Sequence, residues 1–464
     1  MKKIFAFIIF TFIFQFSYAA LSVQVDERSE LLSIVCRLAG YQEYVNNNLK
    51  SYVDDIDSYF APYATLPLID YAKEIRKDHI AYDAVADLIP YMEVKNKKIL
   101  FTQEAFKEIT EEDSRWSVDI LSKYAVLLND FYKKTNFNRF FNNHTSLYEI
   151  TKVSFNETIT NKLNLSWFDN TFGVSNTNFH IVLNLCNGRN NYGPSNGKND
   201  YYSIIGVDLA DSLGIPSFDT GIIKYIIHEF SHSYCNPLCN KYTDEILPVF
   251  DTIFPYVTEA LAKRAYGSPH TLMYENLTRL STLMYLKENK SIRVADVIED
   301  EQSGFLWMRD LYFFYDNFIN NRDVYPDFES FIPEYISFMK EISDQINKVM
   351  SEYENKIPRI VSVFPMNGSK VSSKIKEARI LFNVPMWLAS GFRTLDENPE
   401  NREMFIQPSK PPFERSISLN RRIIIIPIHL EEKTKYGCTI LTRFFQSEEG
   451  YYATGVDEWK FDTE

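Results

Sequence analysis

Between residues 228 and 232 the chain reads His228-Glu229-Phe230-Ser231-His232, a spacing that leaves little freedom in the local fold. Two imidazoles four residues apart can reach one ion if the segment is helical, because residues i and i+4 then lie one above the other. The flanks agree. Ile223, Ile226, Ile227 and Phe230 form one apolar stripe, and both histidines fall on the opposite side of the wheel. Asp219 or Thr220 is placed to cap the start. Pro237 is expected to end the helix near Asn236, since it disfavours helical geometry in the residue before it and donates no backbone hydrogen bond. The histidines would then occupy the last two turns.

With 7 histidines in 464 residues, an accidental H-E-x-x-H arises in roughly one such chain in a hundred. The arrangement suits a zinc hydrolase: His228 and His232 on the metal, and Glu229 as general base toward a zinc-bound water. The plain alternative is two histidines on a helix flank with a solvated glutamate beside them. A catalytic zinc takes a third protein ligand, and the extended motif's third histidine is absent because Leu238 stands there. Glu259 and Glu275 are the leading candidates. Only Glu275 and Arg279 are charged between residues 274 and 286, which implies a covered helix and a carboxylate in need of an ion or a partner. Glu259 has Lys263 one turn on, the pattern of a solvated pair. Glu275 is therefore preferred, with Glu259 as the alternative and Asp244, Glu245 and Asp251 behind it.

Lys2 and Lys3, an apolar run over residues 4–16 and then Ser17-Tyr18-Ala19 have the three regions of a signal peptide, with cleavage expected after Ala19. The mature chain is expected to be exported, periplasmic or extracellular, with no transmembrane segment. Losing two lysines takes the formal charge from −13 to −15, which argues against nucleic acid or an anionic membrane as partner. About 445 residues exceed one hydrophobic core, so two or more domains are expected. Cys36, Cys186, Cys235, Cys239 and Cys438 are too few for a disulfide scaffold. Cys235 and Cys239 are spaced for a bridge, Cys235 stands three residues past His232 where a thiolate ligand is conceivable, and buried inert thiols are the reading for most of the five.

Residues 26–155 carry helical periodicity, a helical lobe. Apolar runs at 179–185 and 201–205, separated by an Asn-, Gly- and Pro-rich stretch over 187–199, indicate a small sheet ahead of the histidine helix. The 179–185 strand is either an exposed edge able to take a substrate backbone or an ordinary core strand. Helices resume over 242–353. Beyond Pro358, short runs at 359–371, 378–387, 403–407, 416–430, 435–445 and 451–461 have the spacing of an all-β sandwich. The fold class is α+β: a signal peptide over 1–19, a mainly helical zincin-like domain with a small sheet over 20–356, and an Ig-like sandwich over 357–464.

The stretch His228-Glu-Phe-Ser-His-Ser-Tyr-Cys-Asn-Pro237, with Glu30-Leu-Leu-Ser-Ile34, Arg37-Leu-Ala-Gly40, Tyr59-Phe60, Tyr82-Asp-Ala-Val85, Tyr192-Gly-Pro194 and Tyr325-Pro326, resembles an uncharacterised family of exported bacterial proteins, domain of unknown function 4932. That family carries an Asn-Glu pair followed four residues later by Arg. Glu275 and Arg279 match it, while Tyr274 replaces the Asn. The resemblance implies a gluzincin-like zinc peptidase in which a downstream glutamate completes the histidine pair. Phe364-Pro-Met-Asn-Gly368, Ile380 to Met386, Leu430, Thr434-Lys-Tyr436 and Trp459 to Thr463 resemble a bacterial Ig-like module, of a kind that spaces or attaches catalytic domains to a cell surface.

The expected function is zinc-dependent hydrolysis of peptide bonds outside the cytoplasm. His228, His232 and Glu275 hold Zn2+, Glu229 acts as base, and Tyr192, Arg322 or above all Tyr325 meets the oxyanion. Two other readings are a catalytically silent surface or periplasmic binding protein with a structural metal site, and a zinc amidase acting on cell-wall material.

Overall fold

The structure is a computed structural model that describes residues 20–102, 104–174, 176–264, 266–387, 394–395, 416–454 and 456–464. The signal peptide read over 1–19 and the strand read over 403–407 lie outside them. The fold is α+β, and the chain forms two compact units. The first takes the chain up to Ile246 with Met273–Ser291 and Asp316–Pro333, and the second takes Leu247–Leu272, Ile292–Tyr315 and Glu334–Glu464. No helix among the described residues is long and apolar enough to cross a membrane.

The first unit is built on a four-stranded sheet. Ala20–Gln24, Asn178–Asn184 and Asp200–Gly206 run parallel in that spatial order, and Asn191–Tyr192 adds antiparallel to the outer side of Asp200–Gly206. The 179–185 segment is therefore an interior strand with partners on both sides, not an edge. Its run Ile181-Val182-Leu183 is buried without alternation, as expected of a parallel strand covered on both faces. One face is covered by the Glu27–Leu38 helix, whose Ser29 and Ser33 take hydrogen bonds from Asn184 Nδ2, the Ser29 and Ser33 hydroxyl contacts both at 2.6 Å. Within the region read as a helical lobe, Met92–Lys95 and Lys98–Phe101 form a small hairpin. Asn96 and Lys97 at its turn have positive φ, the geometry that a two-residue hairpin requires.

The second unit contains helical segments and two four-stranded sheets. Ser416–Ile417, Ile423–Pro427, Glu377–Phe382 and Ile360–Phe364 make one sheet, and Thr394–Leu395, Lys435–Leu441, Val456–Thr463 and Lys370–Val371 the other. Both feed one apolar cluster that includes Ile380, Ile426, Ile440 and Trp459. These strands do not stand apart from the unit's helices. Glu301, fully buried, accepts from Tyr451 Oη at 2.6 Å and pairs with Arg309 at 3.2 Å and Lys356 at 3.5 Å.

Candidate metal centre

The histidine helix runs Ile222–Lys241, longer than the sequence implies. Pro237 lies inside it, exposed, so the proline ring faces outward while the buried Cys235 and Cys239 continue the packed face beyond it. Tertiary burial outweighs the local preference of the residue before proline. The histidines consequently sit mid-helix. The start also differs: Gly221 is the cap residue, and Asp219 accepts the Gly221 N–H at 2.7 Å just ahead of the helix instead of capping its first turn.

The apolar stripe anchors this helix on the sheet. Phe230 meets Phe179 edge-on at 4.9 Å, and Tyr234 stacks on Phe168 and meets Tyr201, each at 4.9 Å. Gly193, next to the short edge strand, lies so close that a Cβ there would fall 2.1 Å from the carbonyl oxygen of Glu229. On the other flank the Pro269–Glu288 helix runs in the opposite sense. Cys239 Sγ donates to Met273 O at 3.8 Å, and the Ser231 and Ser281 hydroxyls meet at 2.9 Å, small side chains that let the two backbones approach.

That second helix delivers Glu275. His228 Nε2 lies 3.6 Å from Glu275 Oε2 and His232 Nε2 lies 3.5 Å from Glu275 Oε1. Among the described residues these three form the one His/Cys/Asp/Glu group able to hold a metal ion, with all ligand atoms within 4.8 Å of one another. The imidazoles stand nearly perpendicular, at 89° with centroids 5.0 Å apart. Glu275 is buried and its Oε2 has no hydrogen-bond partner, while Arg279 Nε approaches that oxygen to 3.4 Å. His232 Nδ1 faces Asn236 Oδ1 and Thr278 Oγ1, each at 3.3 Å.

Glu229 is buried beside this group. Burial, and after it the neighbouring Glu275 carboxylate, hold its carboxyl well above the usual range, with Arg279 opposing. The competing residues are placed otherwise. Glu259 is exposed and pairs with Lys263 at 3.6 Å, and Asp244, Glu245 and Asp251 are exposed as well. Cys235 and Cys239 are free and buried, not bridged. Burial pushes the Cys235 thiol up to about 12, and Cys235 does not belong to the group of converging ligand atoms formed by His228, His232 and Glu275. Of the hydroxyl and cation candidates, Tyr192 is buried, Arg322 donates to the Asn170 and Pro326 carbonyls, and Tyr325 packs edge-on against Phe331 at 5.0 Å. Sequence reading passed over Asn236 and Thr278 as functional residues; the signal available was the position of Asn236, one helical turn past His232.

The two His and one Glu fit a zinc ion. Tetrahedral ligands about 2.1 Å from zinc lie about 3.4 Å from each other, close to the two separations of 3.5 and 3.6 Å found here. The site is thus a His2Glu cluster, its glutamate buried and its two histidines partly exposed, with an adjacent carboxylate, set in an α+β unit.

The family model described as "Domain of unknown function (DUF4932)" matches residues 107–338, half of the chain. The protein belongs to that family. No curated protein matches the sequence. Among solved structures, the S-layer protein rSbsC(31-844) is similar at 14% identity over 51% of this chain and 33% of its own, with a TM-score of 0.18. The surface layer protein SbsC, domains 1-6, gives 12%, 52%, 33% and 0.18. The chain spans about a third of the length of either, and scores that low describe no shared fold.

Proposed function

We propose that this protein is a zinc-dependent metallopeptidase of the gluzincin kind, exported by the leader read over residues 1–19, with the Ig-like region serving attachment. The observation that carries the reading is the convergence of His228, His232 and Glu275 from two helices with Glu229 buried beside them. In this reading His228, His232 and Glu275 hold the ion. Zinc bound there would supply Lewis acidity to the scissile carbonyl, lower the pKa of the attacking water and favour the ionised form of Glu229.

The remaining work falls to the chain's own groups. Glu229 accepts a proton from the attacking water and returns it to the leaving nitrogen. Asn191–Tyr192 ends the sheet, and its outer edge leads into Gly193 against the carbonyl of Glu229. An extended peptide pairing with that edge would pass the histidine helix, which favours a peptide over an amide of other shape. Tyr325 is the hydroxyl this reading offers the oxyanion, tested by Tyr325→Phe.

Metal analysis and turnover of a mixed peptide library test the proposal together. Stoichiometric zinc lost in His228→Ala, and cleavage abolished in Glu229→Gln with zinc retained, are expected. A purified chain that takes up no zinc overturns it, and cleavage of cell-wall fragments with peptides untouched reassigns the substrate.

A further inference from the structure

His232 presents its two ring nitrogens to different surroundings. Nε2 is directed at Glu275 Oε1, at 3.5 Å, and Nδ1 at two oxygens, Asn236 Oδ1 and Thr278 Oγ1, both at 3.3 Å. An amide oxygen only accepts, so the Asn236 contact exists when Nδ1 carries the ring proton. A hydroxyl can take either part. Thr278 is fully buried, and its hydroxyl oxygen has lone pairs to offer the ring N–H.

The placement follows from both helices. Asn236 stands one turn beyond His232 on the histidine helix, and Thr278 stands one turn beyond Glu275 on the glutamate helix. The helix that brings the carboxylate thus also brings an oxygen for the far side of the imidazole. Asn236 keeps this position although it precedes Pro237 inside a helix, where that residue is disfavoured.

We propose that Asn236 and Thr278 are positioning residues that hold His232 in the Nδ1-protonated tautomer and fix its ring plane, leaving the Nε2 lone pair free for the ion. The assignment rests on the metal reading above. It gives these two residues the outer hydrogen-bonding part that a metal-bound imidazole needs, a part whose loss typically weakens metal affinity 10- to 100-fold.

The test is zinc affinity of the full mature chain, measured by competition with a chelator of known affinity. Asn236→Leu and Thr278→Val remove the acceptors at nearly constant size, and each is expected to weaken zinc about 10- to 100-fold. Asn236→Asp keeps the acceptor and is expected to bind zinc as tightly as the wild type or more so, a rescue that a purely structural role does not produce. Should Asn236→Leu fail to fold, Thr278→Val carries the measurement. Nitrogen-15 NMR of the metal-free wild type is expected to find the His232 proton on Nδ1. A proton on Nε2, or variants that bind zinc within twofold of wild type, overturns the assignment while leaving the metal site standing. A wild-type chain without zinc affinity overturns both.

Discussion

Replacing Gly193 by alanine probes how the edge strand is seated against the histidine helix. A methyl carbon there would lie 2.1 Å from Glu229 O, 2.8 Å from Glu229 C and 3.0 Å from Glu229 Cα, whereas ordinary contact begins near 3.4 Å. The strand and helix must therefore separate by about 1.3 Å, the difference between the first and last of those distances. No side chain can swing aside to relieve the clash, because all three atoms are helix backbone in the middle of a packed element. Overpacking usually costs about 1–3 kcal/mol, and a backbone clash belongs at the upper end, about 3 kcal/mol. At about 2–4 °C per kcal/mol for a unit of this size, the melting transition should fall by roughly 6–12 °C. Where the protein remains folded, displacing the strand by about 1 Å should lower peptide turnover on the order of 100-fold. Gly267→Ala is the control, since nothing lies within 4 Å of its added carbon, and it should stay within about 0.5 kcal/mol of wild type. Scanning calorimetry and turnover of both variants decide the matter. If Gly193→Ala melts and turns over like Gly267→Ala, the seating of the strand on Glu229 is wrong.

Three further outcomes are expected. Glu275→Gln should lose most zinc in a chelator competition while Glu259→Gln retains it, because Glu275 is buried against the imidazoles and Glu259 is exposed; equal retention by both removes Glu275 from the metal. Glu30 is fully buried, accepts from Tyr52 Oη at 2.7 Å and Leu185 N at 2.6 Å, and is pushed up to about 7 chiefly by burial. Between the ordinary value of 4.5 and that one, the folded chain keeps a proton the unfolded chain releases. Stability therefore falls as pH rises through this window and levels off above it, by about 3 kcal/mol. Glu30→Gln should flatten that slope in urea melts at pH 4.5 and 8, and an unchanged slope discards Glu30 as its source. In the second unit Tyr451→Phe deprives buried Glu301 of a donor at 2.6 Å, expected to cost about 2 kcal/mol; a calorimetric trace identical to wild type would refute the brace.

Much of the candidate site could be read in the chain because helical spacing alone stacks His228 and His232 with Glu229 beside them, and a charge-poor neighbourhood marks Glu275 as covered. The ligand choice turned on that contrast: Glu259 had Lys263 to pair with in solvent, and Glu275 had Arg279 inside a buried helix. What resisted reading was non-local. Nothing near residues 20–24 announces that they pair with 178–182, since a parallel partner more than 150 residues away leaves no local period. The interior status of the 178–184 strand did have a signal, the unbroken Ile181-Val182-Leu183 run, which marks coverage on both faces. Pro237 misled because a local preference was weighed without the packing of Cys235 and Cys239. The close approach at Gly193 depends on which backbone the glycine meets, and no sequence pattern near it names Glu229.

The balance of charge at the centre bears on whether the site is catalytic or merely structural. Two carboxylates, Glu229 and Glu275, are buried together, close enough that Glu275 raises the pKa of Glu229. Arg279 contributes one compensating charge at 3.4 Å from Glu275. With neutral imidazoles the ionised group sums to one net negative charge in a low-dielectric setting, an expensive state unless a cation enters or a proton stays. A site built only to bind metal has no use for a base beside its three ligands. Retaining a second carboxylate instead leaves a proton acceptor whose affinity depends on whether the cation is present. In the metallopeptidase reading that coupling suits the activation of water, and Glu229→Gln, nearly the same in shape, is expected to separate binding from turnover.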